Sequence, residues 1–341
     1  MEGAAGRAVR MAARVFVSTR SLTAHPALAA AASGAVATEA DPGLGRASVV
    51  FAGPFDALAA RVEAVVAAAL EAGGDKPLAT HIGRHPRIGV VDNVVLSPLC
   101  REDLEAAESC AADLAERLAA CHPDRLRCVV YNSHDMPLAQ VRRLTPYFAR
   151  SALAGPLAFD RTGELPGLAA FGPPRAVPDV GLTCVGAVPW IVNYNVPLAT
   201  DDLQEATRIA RAIRTRGGGP HALSAVEAVG LAASDGRSAI GLAASDGRSA
   251  IGGDMAVSVA PSPAASAAES RPESQENQVM VACNLLDTAL TNTADVQAAV
   301  EALAGGLARK GAVVGPAWAD VLRAGLAARD TAPRVAEGAA A

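Results

Sequence analysis

Aromatic side chains make up only 3% of the 341 residues, and lysine occurs just twice, at Lys76 and Lys310. The net charge is −5, so the chain lacks the basic footprint that nucleic acid requires, and no nucleic-acid partner is expected. No apolar run approaches the roughly 18 residues of a membrane span. The alanine-rich stretch 24–37 is broken by His25, Pro26, Ser33 and Gly34, so no membrane partner is expected either. The six cysteines (Cys100, Cys110, Cys121, Cys128, Cys184, Cys283) include no C-x-x-C pair, which argues against a zinc ribbon and against a disulfide scaffold. A reducing, cytoplasmic compartment fits that usage. Near the N-terminus, Glu2 and a strand pattern beginning by Arg14 leave little room for a transit peptide. No G-x-G-x-x-G follows a strand pattern, and Gly217–Gly219 lacks the Lys-Ser/Thr of a phosphate-binding loop, which leaves a helix stop as its default reading.

What fills these gaps is alanine, with 79 residues, and arginine, with 28. Hydrophobic content is 51%, a figure that overstates core-building power because alanine buries little surface. The length suits one large domain or two of ordinary size. Alternating β-branched residues predict strands at Arg14–Ser18 and Ala47–Ala52, with others at Ile88–Leu96, Arg127–Tyr131, Leu182–Val188, Trp190–Val196, Leu223–Leu231 and Val279–Leu286. Helical spacing of apolar residues predicts helices over 55–70, 104–118, 203–213 and 294–307. Asp201 and Gln204 have the spacing of a capping box before the third of these. The proline- and glycine-rich residues 151–180 read as loop. The segment GLAASDGRSAI at Gly230–Ile240 recurs letter for letter at Gly241–Ile251, and a Ser/Pro/Glu/Ala stretch follows it. Two copies make no solenoid. We read residues 232–278 as an insertion in a β-hairpin, without enough apolar surface to order itself.

The densest chemistry lies in Thr80–Asn93, THIGRHPRIGVVDN. His81 and His85 stand four apart, the spacing of metal ligands on a helix. Gly83 and Pro86 oppose a helix there, and no metal is expected. The segment reads either as a surface turn or as a functional strand-entry loop, in which His85, beside Arg87 and near Asp92, is a general base. In Trp190–Leu198, WIVNYNVPL, a strand would place Asn193 and Asn195 on one face and Tyr194 on the other. Two such amides suit a heterocycle edge or a carboxylate, or else they merely satisfy a strand end. Cys283 reads as a small buried hydrophobe.

Taken in order, HIGRHPRIGVVD at His81–Asp92, VGAxxWIVNYNVPL at Val185–Leu198, RIAR at Arg208–Arg211, RGGG at Arg216–Gly219 and VACNLL at Val281–Leu286 resemble the glutamate formiminotransferase family. That family includes the N-terminal part of formiminotransferase–cyclodeaminase and plant single-domain formiminotransferase-like proteins. The resemblance implies an α+β fold of two ferredoxin-like α/β subdomains, their sheets covered by helices, with a ligand groove between them. Expected boundaries are a leader at 1–12, subdomains at 13–187 and 188–326, and a tail at 327–341. It also implies transfer of a formimino group from N-formimino-L-glutamate to tetrahydrofolate as co-substrate. His85 would be the catalytic base, and Arg87, Gly89, Asp92, Arg46, Asn193 and Asn195 would bind folate or substrate. Arg87 would pair with a substrate carboxylate, and Asp92 would orient His85 or neutralise Arg87. Of the family's early block before the second strand, Gly43-Leu44-Gly45-Arg46 keeps only Arg46. No cyclodeaminase step is expected. A homodimer is within expectation. The alternatives are a folate-binding protein without this activity and an interaction scaffold using 232–278.

Overall fold

The computed structural model describes residues 9–42, 45–73, 88–132, 135–138, 140–141, 167–232 and 279–328. The described chain divides into two units, one formed by the residues up to Ile191 together with those from Gly315 onward, the other by Val192–Val314.

The first unit begins with β1 (Arg10–Val17), α1 (Pro26–Ala31), β2 (Ala37–Asp41), β3 (Arg46–Pro54), α2 (Phe55–Ala72) and β4 (Val91–Pro98). It continues through α3 (Leu104–Cys121), β5 (Arg127–Tyr131), β6 (Ala170–Phe171) and β7 (Leu182–Ala187). The strands form one sheet in the order β2-β3-β1-β4-β7-β5-β6. The first four are mutually antiparallel, and β4, β7 and β5 run parallel. Period-two alternation decides which side chains meet the helices. Met11, Ala13, Val15 and Val17 of β1 join Val49 and Phe51 of β3 against Leu58, Val62 and Val65 of α2 and Leu114 and Leu118 of α3. Helix α2 ends where Gly73 turns left-handed at φ 69°, a conformation that favours glycine.

The second unit comprises β8 (Val192–Leu198), α4 (Leu203–Ile213), β9 (Val226–Ala232), β10 (Val279–Leu285), α5 (Thr293–Ala304) and β11 (Ala312–Val314). Its antiparallel sheet has the order β11-β8-β10-β9. This is a βαββαβ unit with ferredoxin-like strand order. The run β1-α1-β2-β3-α2-β4 has the same succession and the same order, β2-β3-β1-β4. The fold is therefore α+β, with two ferredoxin-like subdomains, the first enlarged by the parallel strands β7 and β5. After β11 the chain returns to the first unit as α6 (Trp318–Ala327).

The boundaries depart from the sequence reading. In space the second unit is Val192–Val314 rather than 188–326, and the last helix belongs with the first unit. Strand β8 starts at Val192, after Trp190. Asp202, not Asp201, caps α4, accepting the Gln204 N–H at 2.8 Å. Helix α5 stops at Ala304 because Gly305 turns to φ 57°. Residues 170–171 form an edge strand within the stretch read as loop. The hairpin ends flanking the insertion pair directly, Ala232 with Val279; the expected leader at 1–12 is shortened by β1, which starts at Arg10, and Ala327 of the expected tail at 327–341 closes the last helix, while residues 1–8, 233–278 and 329–341 lie outside the described set.

Candidate functional site

One face of the first unit's sheet packs on α2 and α3. The other is covered in two patches. Helix α6 lies over β1 and β3, where Arg10 Nη1 donates to the Gly325 and Ala328 carbonyls at 2.8 Å each. Ile88, Val129, Tyr131, Leu182 and Cys184 form an apolar cluster over β5 and β7. Between them, on β1, β3 and β4, the face is polar.

A slip in the β1–β4 register adds a carboxylate to that polar face. Phe16 opposes Asn93 while Val17 opposes Val91, so Asp92 is the extra residue of a bulge. Bulges re-aim side chains. Asp92, 1% exposed, accepts the Ile88 N–H at 2.8 Å through Oδ1 and meets Arg46 Nη2 at 3.3 Å through Oδ2. The Arg46 guanidinium lies 3.9 Å from the centroid of the Phe16 ring, and that of Arg14 lies 4.8 Å from it. Arg14 pairs with Glu39 at 2.6 Å, and Ser48 Oγ donates to the same carboxylate while accepting from Arg14 Nε, both at 3.3 Å. Burial lowers the Arg14 pKa, against the opposing pull of Glu39. Two guanidiniums thus face two carboxylates around one ring, a balanced set with strong local dipoles.

This arrangement gives two sequence-predicted residues definite surroundings. Asp92 and Arg46 hold each other, and Asp92 also anchors the backbone where Thr80–Asn93 enters its strand. Gly89 answers to packing: a Cβ there would stand 2.2 Å from the Leu182 carbonyl oxygen, and Ser18 Oγ donates to the Gly89 carbonyl at 2.7 Å. Tight strand approach of this kind requires glycine. His81, Arg84, His85 and Arg87 lie outside the described residues.

In the second unit Tyr194 points toward the helices and donates to Gln297 Oε1 at 2.9 Å, so Asn193 and Asn195 share the opposite face, as their spacing predicts. Asn193 is buried and Asn195 is half-buried. Asn193 stands in register with Asn284 of β10, and Asn284 in turn with Glu227 of β9. Asn284 is 3% exposed, and its Nδ2 has no hydrogen-bond partner among the described residues. The sequence reading passed over it. Alternation of Val279, Val281 and Cys283 with residue 284 was the available signal. Asn93 was passed over likewise; it is 3% exposed, with Oδ1 lacking a partner among the described residues. Cys283 is buried, with its thiol pushed up to about 12 by desolvation, as a small core hydrophobe should be. Among the described residues no cluster of three or more His, Cys, Asp or Glu is placed to hold a metal, and no helix is long and apolar enough to cross a membrane.

Comparison with known proteins adds three relatives. The chain is 33% identical over 165 residues to a formiminotransferase cyclodeaminase-like protein of Arabidopsis thaliana, covering 47% of this chain and 53% of that one. It is 32% identical over 174 residues to the formimidoyltransferase-cyclodeaminase of Gallus gallus, covering 50% and 30%. It is 26% identical over 152 residues to the glutamate formimidoyltransferase of Thermoplasma acidophilum, covering 41% and 44%. The match thus spans about half the length of the plant relative and less of the other two. The sequence pattern of the formiminotransferase domain, N-terminal subdomain, matches residues 20–188, a stretch that contains the whole of Arg46, Asp92 and their neighbours on β3 and β4. On that match, residues 20–188 carry the N-terminal subdomain of a formiminotransferase domain.

Proposed function

We propose that this protein transfers a formimino group from N-formimino-L-glutamate to tetrahydrofolate, with His85 as general base. The Asp92 clamp carries the reading: a buried carboxylate tied to Arg46 holds the Ile88 amide, three residues beyond His85 in sequence. Asp92 acts here on the backbone and on Arg46. Tetrahydrofolate suits the amide face of the second unit, where the buried Asn284 Nδ2 stands in register with Asn193 and would meet a ligand acceptor.

The formimino group reacts as its protonated amidine: His85 takes the proton released at N5 as the N5 lone pair bonds to the formimino carbon, and the C=N electrons settle on the protonated imino nitrogen, which becomes a neutral amine. His85 returns a proton to the glutamate nitrogen as the bond from that nitrogen to the carbon breaks and the C=N bond re-forms. One C–N bond is made and one broken, and nothing is oxidised or reduced. Arg87 holds a substrate carboxylate, and Asn193 and Asn195 hold the edge of the folate ring. The test is incubation of pure protein with both substrates, followed by the 5,10-methenyl absorbance after acid. Turnover that His85→Ala reduces by about 100-fold or more supports the reading. Absent turnover, or turnover indifferent to His85, overturns it.

One observation favours a second reading, a folate-binding protein without this transfer: Arg46 already holds a protein carboxylate, that of Asp92. Calorimetric affinity for a reduced folate with no turnover on either formimino or formyl donors would select it.

A further inference from the structure

We infer that Asn93 is the residue that tells a formimino donor from a formyl donor, by accepting a hydrogen bond from the terminal N–H of the formimino group. The inference rests on the transferase reading above and names the group that the site selects. Asn93 sits on β4 between Phe16 of β1 and Cys184 of β7, in a strand whose other members include Val94, Val95 and Leu96. It is 3% exposed, and its Oδ1 is turned from water with no partner among the described residues. An acceptor so placed is costly to keep, because burial removes its water without replacing the bond. An aliphatic side chain would suit the neighbouring apolar cluster of Ile88, Val129, Leu182 and Cys184 better.

The other donors described on this face are engaged or weak: Arg14 pairs with Glu39, Arg46 with Asp92, Ser48 Oγ donates to Glu39, and Cys184, in register with Asn93, offers only a thiol. What the Asn93 carbonyl lacks is therefore an N–H from outside the described protein. The formimino group, –NH–CH=NH, presents one at its terminal nitrogen, and two when protonated. The formyl group, –NH–CH=O, presents only lone pairs at the same position and so offers the Asn93 oxygen no bond. Sites built to hydrogen-bond one group reject analogues lacking it far more strongly than apolar pockets do. Asn93 also follows Asp92 directly, so the residue that holds the strand entry and the residue that reads the substrate move together.

The experiment compares N-formimino-L-glutamate with N-formyl-L-glutamate, by calorimetric binding and by kcat/KM, in the wild type, Asn93→Leu and Asn93→Asp. The wild type should prefer the formimino donor. Asn93→Leu should cut that preference by about 30-fold or more while leaving the melting temperature equal or higher, because a buried acceptor without a partner has been removed. A merely structural asparagine would instead lower the melting temperature and leave the preference intact. Asn93→Asp keeps an acceptor and should keep the preference; if the leucine variant does not fold, this one decides, and loss of the preference in it overturns the inference. A wild type that binds and uses both donors alike, or a leucine variant with unchanged preference, overturns the inference and leaves the transferase reading standing. A wild type that binds neither donor overturns both.

Discussion

At Asp92 a single carboxylate serves a cation and a backbone amide at once, and removing it strands both. Asp92→Ala should lower stability by about 3–5 kcal/mol, because the buried Arg46 guanidinium loses its counter-charge. Asp92→Asn keeps an acceptor for the Ile88 N–H and should cost less; urea unfolding of the two variants separates the charge from the hydrogen bond. The thiols offer a second check. Burial pushes Cys128 and Cys283 up to about 12 and Cys110 up to about 11, whereas Cys121 is exposed. Since the thiolate is the nucleophile, an alkylating reagent at mildly alkaline pH should label Cys121 first and leave Cys128 and Cys283 unmodified until denaturant is added, as read by mass spectrometry. Asp92 and Arg46 were legible as site residues from their motifs, but not as partners of each other. Their meeting depends on a one-residue slip between Phe16 and Val17, and no local pattern in either strand records a bulge. Asn93 was illegible for a related reason, and Asn284 had strand alternation alone to mark it: a lone polar residue on a strand gains meaning only when burial and its neighbours are known.

Among the elements, those with a full hydrophobic stripe were readable. Helices α2 and α3 each bury a row at spacings of three and four, and β10 places Val279, Val281, Cys283 and Leu285 in the core of its unit. The helix α1 has six residues and buries only Leu28; β11 has three residues and none fully buried. Helix α6 buries only Val321 and Gly325, and a glycine that packs closely on Leu99 and Ala52 leaves no apolar signature. The reading of 232–278 as an insertion in a hairpin agrees with the direct pairing of Ala232 and Val279. Replacing residues 233–278 with a two-residue Asn-Gly turn should therefore preserve the fold and raise stability by about 2 kcal/mol, through the smaller entropy of closing a short loop. A thermal melt compared with the full chain checks it, and a lower midpoint would mean that the excised residues support the sheet.

For the whole molecule, the ordered motifs pointed to two similar subdomains, and two βαββαβ units with one strand order are what the chain forms. The boundary was misplaced because the last helix, though it follows the second unit in sequence, packs on the first. The two tryptophans of the chain mark the place: Trp190 and Trp318 stack with centroids 5.1 Å apart, one just before the second unit and one just after it. Ending the chain at Val314 should uncover β1 and β3, release Arg10 from its two carbonyl acceptors and shift Trp190 fluorescence to the red, with a lower melting temperature. Residues 192–314, which have a core of their own, should melt cooperatively when expressed alone, as followed by circular dichroism. The second unit is in effect a complete module threaded into the first, and this orders events during synthesis. When the ribosome has released β7, the first unit still lacks the helix that covers one side of its sheet. The second unit can mature meanwhile, and the first closes only when the final helix emerges, so the subdomain translated earlier is the one completed last.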